Sequence, residues 1–257
     1  MDTASTNSDP ATHPSHIAHF LSAVELLKES LLETLWPTRC VICDLPGDLL
    51  CSSCKRNLPY IDYWQACKQC GSEYGRILCC ECNSMILSLR EIDYYPLDGC
   101  ISVFRFNPTS KRIITLYKDR NEKRLSTHLA YLLNDIILPE WKNRSVLCPI
   151  PARASSKRKR GFDHIATIVQ ELSELSGIPS CSLLGTFEGG DQRNLDAKQR
   201  LKNMEHSFYL DSSIGKIPEQ IILIDDVITT GSTLYAAAKI LRKEGATHIF
   251  AATLARA

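Results

Sequence analysis

"IILIDDVITTGST", residues 221–233, sets four aliphatic residues ahead of two adjacent aspartates and a run of small hydroxyl side chains. Ile221-Ile222-Leu223-Ile224 contains no polar position, the pattern of a strand buried on both faces of a parallel sheet. The strand is expected to stop at Asp225. After Thr229, Thr230, Gly231, Ser232 and Thr233, the positions Ala236, Ala237, Ile240 and Leu241 take up helical spacing that ends near Gly245. Strand, loop and helix in this order bring a helix amino terminus to the carboxyl end of a parallel strand. Free N–H groups there offer an anion site, and glycine lets the backbone approach closely.

Outward from this unit, strands and helices alternate. "CISVFRF" from Cys100 reads as a strand, "SKRIITLYKD" and "EKRLSTHLAYLLNDII" as helices, and "SVLCPIP" as a strand stopped by Pro149 and Pro151. Phe162, Ile165, Val169, Leu172 and Leu175 mark a helix ended by Gly177 and Pro179, before a short strand around "CSLLG". "EGGDQRNLDAKQR" is polar, and "THIFAATLA" is the last strand. The alternation predicts a three-layer α/β fold. Residues 1–16 are polar and offer nothing to bury, so they are expected to be a disordered tail. Across 17–38, Ile17, Phe20, Leu21, Val24, Leu27, Leu31 and Leu35 recur at helical spacing and predict an amphipathic helix packed on its own protein.

The chain has 257 residues, 44% of them hydrophobic, and a net charge of +1, which excludes a generally basic coat but not local basic patches. No apolar run reaches the roughly 18 residues of a membrane span, and the amino terminus lacks the basic and apolar regions of a secretory signal. The expected location is cytoplasmic, where the 12 cysteines must serve something other than disulfides. Cys40-x-x-Cys43, Cys51-x-x-Cys54, Cys67-x-x-Cys70 and Cys79-x-x-Cys82 give four pairs, enough for two tetrahedral four-thiolate zinc sites. Sequential pairing needs only short loops, and an interleaved cross-brace is the alternative. Cys80 is spare, and Cys100, Cys148 and Cys181 stand in apolar surroundings as core residues. Four thiolates leave zinc no open position, so the ions would be structural and supply much of the module's stability.

Helix capping accounts for one or two hydroxyls in "DDVITTGST", but not for paired acids followed by Thr-Thr-Gly-Ser-Thr. Recognition of a ribose 5-phosphate does: carboxylates accept from ribose hydroxyls while loop N–H groups and hydroxyls surround the phosphate. Neither G-x-G-x-x-G nor the Walker A pattern is present. The stretch resembles the phosphoribosyl pyrophosphate signature of type I phosphoribosyltransferases. With the cysteine pairs ahead of it, Pro149-Ile150-Pro151, Arg160-Gly161-Phe162, and Gln192, Leu195, Arg200, Asn203 and Phe208, the sequence resembles the ComF family over nearly all of the chain beyond Leu31.

The resemblance implies a type I phosphoribosyltransferase-like parallel sheet flanked by helices over 90–257, preceded by a double zinc-ribbon module over 39–85. It implies that Asp225 and Asp226 hold the ribose hydroxyls and act in catalysis. Val227, Ile228, Thr229, Thr230, Gly231, Ser232 and Thr233 would form the phosphate-binding loop. Pro149, Ile150, Pro151, Arg153, Arg158 and Arg160 would border the pyrophosphate, Mg2+ would accompany it, and a lid would carry Gln192 and Arg200. The sequence departs from the family pattern at Asp163-His164, where Asn-Gln is usual, and at Asn194, where Gly is usual. "KDRN", 118–121, matches the family's Lys-Tyr/Phe stretch only loosely. An acid at 163 would repel pyrophosphate if it faced it. The basic run 157–160 reads as a solvated turn, a phosphate contact or a DNA-backbone contact. The histidines, His164 included, carry no signal of a role.

Two functions follow from the resemblance. One is a phosphoribosyltransferase acting on phosphoribosyl pyrophosphate with an unspecified acceptor, in a family of which some members serve DNA uptake during natural transformation. The other is a non-catalytic adaptor that senses the phosphoribosyl group or contacts single-stranded DNA or competence proteins. Fold alone does not separate them.

Overall fold

The computed structural model describes residues 34, 37–89, 92, 94–187, 208–211 and 215–257. The expected tail, most of the amphipathic helix, and Gln192, Asn194, Leu195, Arg200 and Asn203 lie outside the described residues.

Four parallel strands form the main sheet in the order β1-β6-β5-β2: β1 (Gly99–Arg105), β2 (Ser145–Pro149), β5 (Gln220–Ile228) and β6 (His248–Arg256). The aliphatic runs of β5 and β6 take the two central places, where both faces are covered. Strand alternation then sorts their side chains. Ile222 and Ile224, with Ala252 and Leu254, pack against α3 (Pro108–Asp119), α4 (Leu125–Ile136) and α7 (His164–Ser176). Ile221 and Leu223, with Ile249 and Ala251, pack against α8 (Ser232–Lys243). A separate antiparallel pair, β3 (Leu184–Thr186) and β4 (Phe208–Leu210), packs on α8 through Leu184 and Phe208. The short strand expected near "CSLLG" belongs to this pair.

Two local expectations are corrected. The β5 strand does not stop at Asp225 but runs through both aspartates to Ile228, because Asp225, Val227 and Ile228 continue in register with Thr253, Ala255 and Arg256 of β6. The basic run is not a turn: Ala154–Arg160 forms a short helix, α6, closed by Gly161 in the left-handed conformation at φ 76°. Asp163 then caps α7, accepting from Ala166 N at 3.2 Å, and pairs with Lys157 Nζ at 2.6 Å. That acid is committed to the cap and to a lysine.

The cysteine module, with the short helices α1 (Ser52–Arg56) and α2 (Ser84–Leu89), lies along the outer edge of β1, and α5 (Pro139–Lys142) precedes β2. Ile61 N donates to Val103 O at 3.0 Å and Arg105 N to Pro59 O at 2.8 Å, so this edge is covered. The module also shares the core. Val41, Leu49, Leu50 and Leu58 join the α4/α7 side, while Cys67, Cys70, Cys79 and Cys82 join the α8 side. Arg256, at the end of β6 and only 7% exposed, donates to Cys70 O at 2.6 Å and pairs with Glu81. The module and the α/β domain therefore share a core on both faces of the sheet. Cys100 and Cys148 are fully buried as expected, whereas Cys181 is partly exposed. Among the described residues, no helix is long and apolar enough to cross a membrane.

Candidate functional site

The carboxyl ends of β2 and β5 lie side by side, held by Ile150 N donating to Ile224 O at 2.9 Å. This brings Pro149-Ile150-Pro151 next to the two aspartates, an adjacency that 73 intervening residues conceal in the sequence. Asp225 Oδ1 accepts the N–H of Asp226 at 2.8 Å. Burial, reinforced by the charge of Asp226, pushes Asp225 up to about 8. Burial works in the same direction on Asp226, but the His164 hydrogen bond and the Lys118 ammonium outweigh it and hold that carboxyl below the usual carboxylate range. The two environments thus push the acids apart, Asp225 toward its protonated form and Asp226 toward its ionised one.

Asp226 Oδ2 is gripped from two sides. Lys118, at the end of α3, makes an ion pair with it, and His164 Nε2 lies 3.0 Å away. Arg160 Nη1 is 3.5 Å from His164 Nδ1. A carboxylate only accepts, so the ring nitrogen facing Asp226, Nε2, carries a hydrogen. Tyr117 Oη donates to His164 O at 2.6 Å, and Arg160 Nε pairs with Asp119 at 3.4 Å. Of the expected pyrophosphate-side arginines, Arg160 is thus joined to the acid pair only through His164. Arg153 takes the amino-terminal cap position of α6, and Arg158 is exposed on that helix.

His164 and Lys118 are the site residues that sequence reasoning missed. Asp163-His164 was singled out only as a departure from the family pattern. The signal within reach was an Asp immediately ahead of a helical repeat, which reads as a cap and frees the next residue to face inward.

Past Ile228, the loop Thr229-Thr230-Gly231 leads directly into α8. Thr230 Oγ1 and Ser232 Oγ are 2.8 Å apart, and Gly231 has φ 78°. A side chain at 231 would be strained by that backbone and would meet the Tyr235 ring at 3.0 Å, so glycine is required here. Gly231 has no side chain to cap α8, and Ser232 N reaches Thr230 Oγ1 only at 3.4 Å, so the helix start resembles the anion-binding helix termini of other proteins.

The cysteines gather sequentially, not as a cross-brace: Cys40, Cys43, Cys51 and Cys54 in one group, and Cys67, Cys70, Cys79 and Cys82 in the other. Within each group all sulfurs lie within 4.8 Å of one another. Cys43–Cys51 is 3.8 Å, and Cys67–Cys82 and Cys70–Cys79 are both 3.5 Å. A tetrahedral zinc with bonds of about 2.3 Å needs sulfurs about 3.8 Å apart, so the donor sets fit. Cys54 N and Glu81 N point at Cys51 and Cys79 sulfurs at 3.4 Å, as suits thiolates. Cys80 is exposed and outside both groups.

No family model matches the sequence. Competence protein F of Haemophilus influenzae is 30% identical over 238 residues, 85% of this chain and 97% of that protein. The chain belongs to the ComF family. DNA utilization protein YhgH of Salmonella typhi is 27% identical, covering 82% of this chain and 93% of that one. Competence protein ComFC of Bacillus subtilis is 24% identical, covering 78% and 80%. Among solved structures, the orotate phosphoribosyltransferase of Aeropyrum pernix aligns with 67% of this chain and 80% of its own, at 16% identity and a TM-score of 0.34. A Staphylococcus aureus hypoxanthine phosphoribosyltransferase aligns with 52% and 64%, at 12% identity and a TM-score of 0.34. The ComF member described here has a parallel sheet flanked by helices, with the phosphoribosyltransferase-like signature at the end of a central strand and two four-cysteine clusters beside it.

Proposed function

We propose that this ComF-family protein binds phosphoribosyl pyrophosphate across the carboxyl ends of β2 and β5 and transfers the phosphoribosyl group to an acceptor. The observation that supports it best is the conjunction of Asp225-Asp226 at the end of β5 with an uncapped helix start at α8, joined by a loop whose Gly231 admits no side chain. In this reading the first-turn amides of α8, with Thr230 and Ser232, hold the 5-phosphate. Asp226, ionised, faces the ribose hydroxyls and favours positive character at the anomeric carbon as the bond to pyrophosphate lengthens. Asp225, neutral, can donate as well as accept. Arg160 and its neighbours on α6 meet the leaving group, and the segment with Gln192 and Arg200 would close over the site.

A magnesium ion carried with the pyrophosphate would neutralise leaving-group charge. Asp226 Oδ2 is taken by Lys118 and His164, and Asp225 Oδ1 by an amide. The donor this chain could add as it stands is therefore Asp226 Oδ1; Asp225 Oδ2 would become one only on losing its proton. Two zinc ions, one per cysteine group, would hold the module over 39–85 against the domain over 90–257. A role in DNA uptake, with single-stranded DNA or competence proteins as partners, is supported by the relatives named for competence and DNA utilization. A cytoplasmic location suits the unpaired cysteines.

The test is calorimetry of the zinc-loaded protein with phosphoribosyl pyrophosphate and Mg2+, followed by assay for pyrophosphate release with candidate acceptors. Saturable binding that Asp226→Asn weakens supports the site. Binding without release under any acceptor would favour the sensing adaptor, and no binding would refute the reading.

A further inference from the structure

Asp226 is the residue that the phosphoribosyl reading offers to ribose, yet its Oδ2 is already held by Lys118 and His164. The two partners differ in freedom. His164 is 5% exposed, its carbonyl is bonded by Tyr117, and Arg160 sits at its other ring nitrogen. The Lys118 side chain is 27% exposed, and it is a compact charge on a flexible four-carbon stem with three donors. The end of α3 that carries it faces the arginine helix: Asp119, the next residue, pairs with Arg160 of α6. A lysine swinging away from Asp226 therefore moves among the groups assigned to the pyrophosphate side.

We propose that Lys118 is a latch on the acid pair, closed over Asp226 in the free protein and drawn onto the pyrophosphate when phosphoribosyl pyrophosphate binds. The inference rests on the phosphoribosyl reading of the site and adds to it a determinant of specificity. A pyrophosphate offers the ammonium more negative charge than one carboxylate, so a ligand bearing it opens the latch and gains a contact. Ribose 5-phosphate offers Lys118 nothing in exchange and must bind against the closed pair. His164 stays in place and keeps the Asp226 carboxylate oriented after the lysine has left. The latch thus discriminates the activated sugar from the same sugar without its leaving group, at a carboxylate both must use.

The test is calorimetry of the zinc-loaded parent, Lys118→Met and Lys118→Arg with both sugar phosphates. Lys118→Met should bind ribose 5-phosphate about five- to tenfold more tightly, because the competent fraction is no longer reduced by a partly exposed ion pair. Its preference for phosphoribosyl pyrophosphate over ribose 5-phosphate should fall about tenfold or more, the value of one charge-assisted bond. Lys118→Arg, which keeps the charge, should retain the preference. Unchanged or weaker ribose 5-phosphate binding by Lys118→Met overturns the latch while leaving the site standing, provided the parent binds phosphoribosyl pyrophosphate. If neither parent nor variants bind either sugar phosphate, the reading of the site falls and the latch with it.

Discussion

Replacing Arg256 with methionine keeps much of the stem and removes every donor. The guanidinium makes one buried bond, Nη1 to Cys70 O at 2.6 Å, and an ion pair from Nη2 to Glu81. A charge-assisted bond to a buried carbonyl contributes about 1.5–3 kcal/mol. Glu81 is 40% exposed at its side chain, so solvent screening limits the pair to about 1 kcal/mol or less. The loss should be roughly 2–4 kcal/mol, and with a urea slope of about 2–3 kcal/mol/M the midpoint should fall by about 1 M. Circular dichroism of zinc-loaded protein in urea measures it. Arg256 Nη2 also lies 3.9 Å from Cys70 Sγ, so zinc release to a chromogenic chelator should quicken at the second cluster and stay unchanged at the first. A midpoint shifted by less than about 0.2 M, or equal quickening at both clusters, would refute the idea that Arg256 joins the second cluster to the sheet.

The second cluster is buried against α8 while in the first Cys43 is exposed and Cys51 and Cys54 are half-buried, so Cys67→Ser should lower the urea midpoint more than Cys40→Ser; elemental analysis of the parent should give two zinc ions per chain. Asp225 is raised to about 8 from an ordinary value of 3.8, so its protonated form favours folding below about pH 4 and that contribution is lost as pH climbs toward 8. Asp225→Asn escapes the loss, and urea midpoints between pH 5 and 8.5 should show its stability relative to the parent rising, by at most about 1.4 kcal/mol per pH unit, then levelling. Gly231→Ala should cost roughly 1–2 kcal/mol from the left-handed backbone alone. Because the new methyl meets Tyr235, inorganic phosphate and phosphoribosyl pyrophosphate should both bind more weakly in titrations.

Elements with aliphatic periodicity were legible because burial writes itself into the pattern: β5 in "IILI", α7 in Ile165, Val169 and Leu172. The end of β5 was not, since two carboxylates resemble a strand terminus. What carries the strand past them is pairing with Ala255 and Arg256, residues some 30 positions away. The α6 helix was hidden because four consecutive cations have no apolar face to show a period. Cysteine spacing gave the ligand groups, with sequential pairing the simpler of two alternatives, but not that one group would be buried and the other partly exposed. In the candidate site, the contiguous part from Asp225 to Thr233 was readable. Lys118 was marked only by the loose match of "KDRN" to a family stretch, which says nothing of a contact with Asp226. Nor was the role of His164 readable, since its position 62 residues from Asp226 acquires meaning only through the packing of α7 on the sheet.

The strand order has a consequence for how the chain reaches this structure. β1 is first among the strands and pairs inside the sheet only with β6, the last, from Gly99↔Phe250 to Arg105↔Arg256. Its inner edge, the apolar "CISVFR", must wait for roughly 150 residues to arrive, and contacts at such separation form slowly. Its outer edge is different: the partner segment around Pro59–Ile61 precedes it by about 40 residues, between the two cysteine groups. Metal loading of those groups can shield that edge early, leaving one open template for misassembly instead of two. In refolding from urea, zinc would then act as an anti-aggregation factor at a stage when the end of β5 that carries the acid pair has not yet joined the sheet.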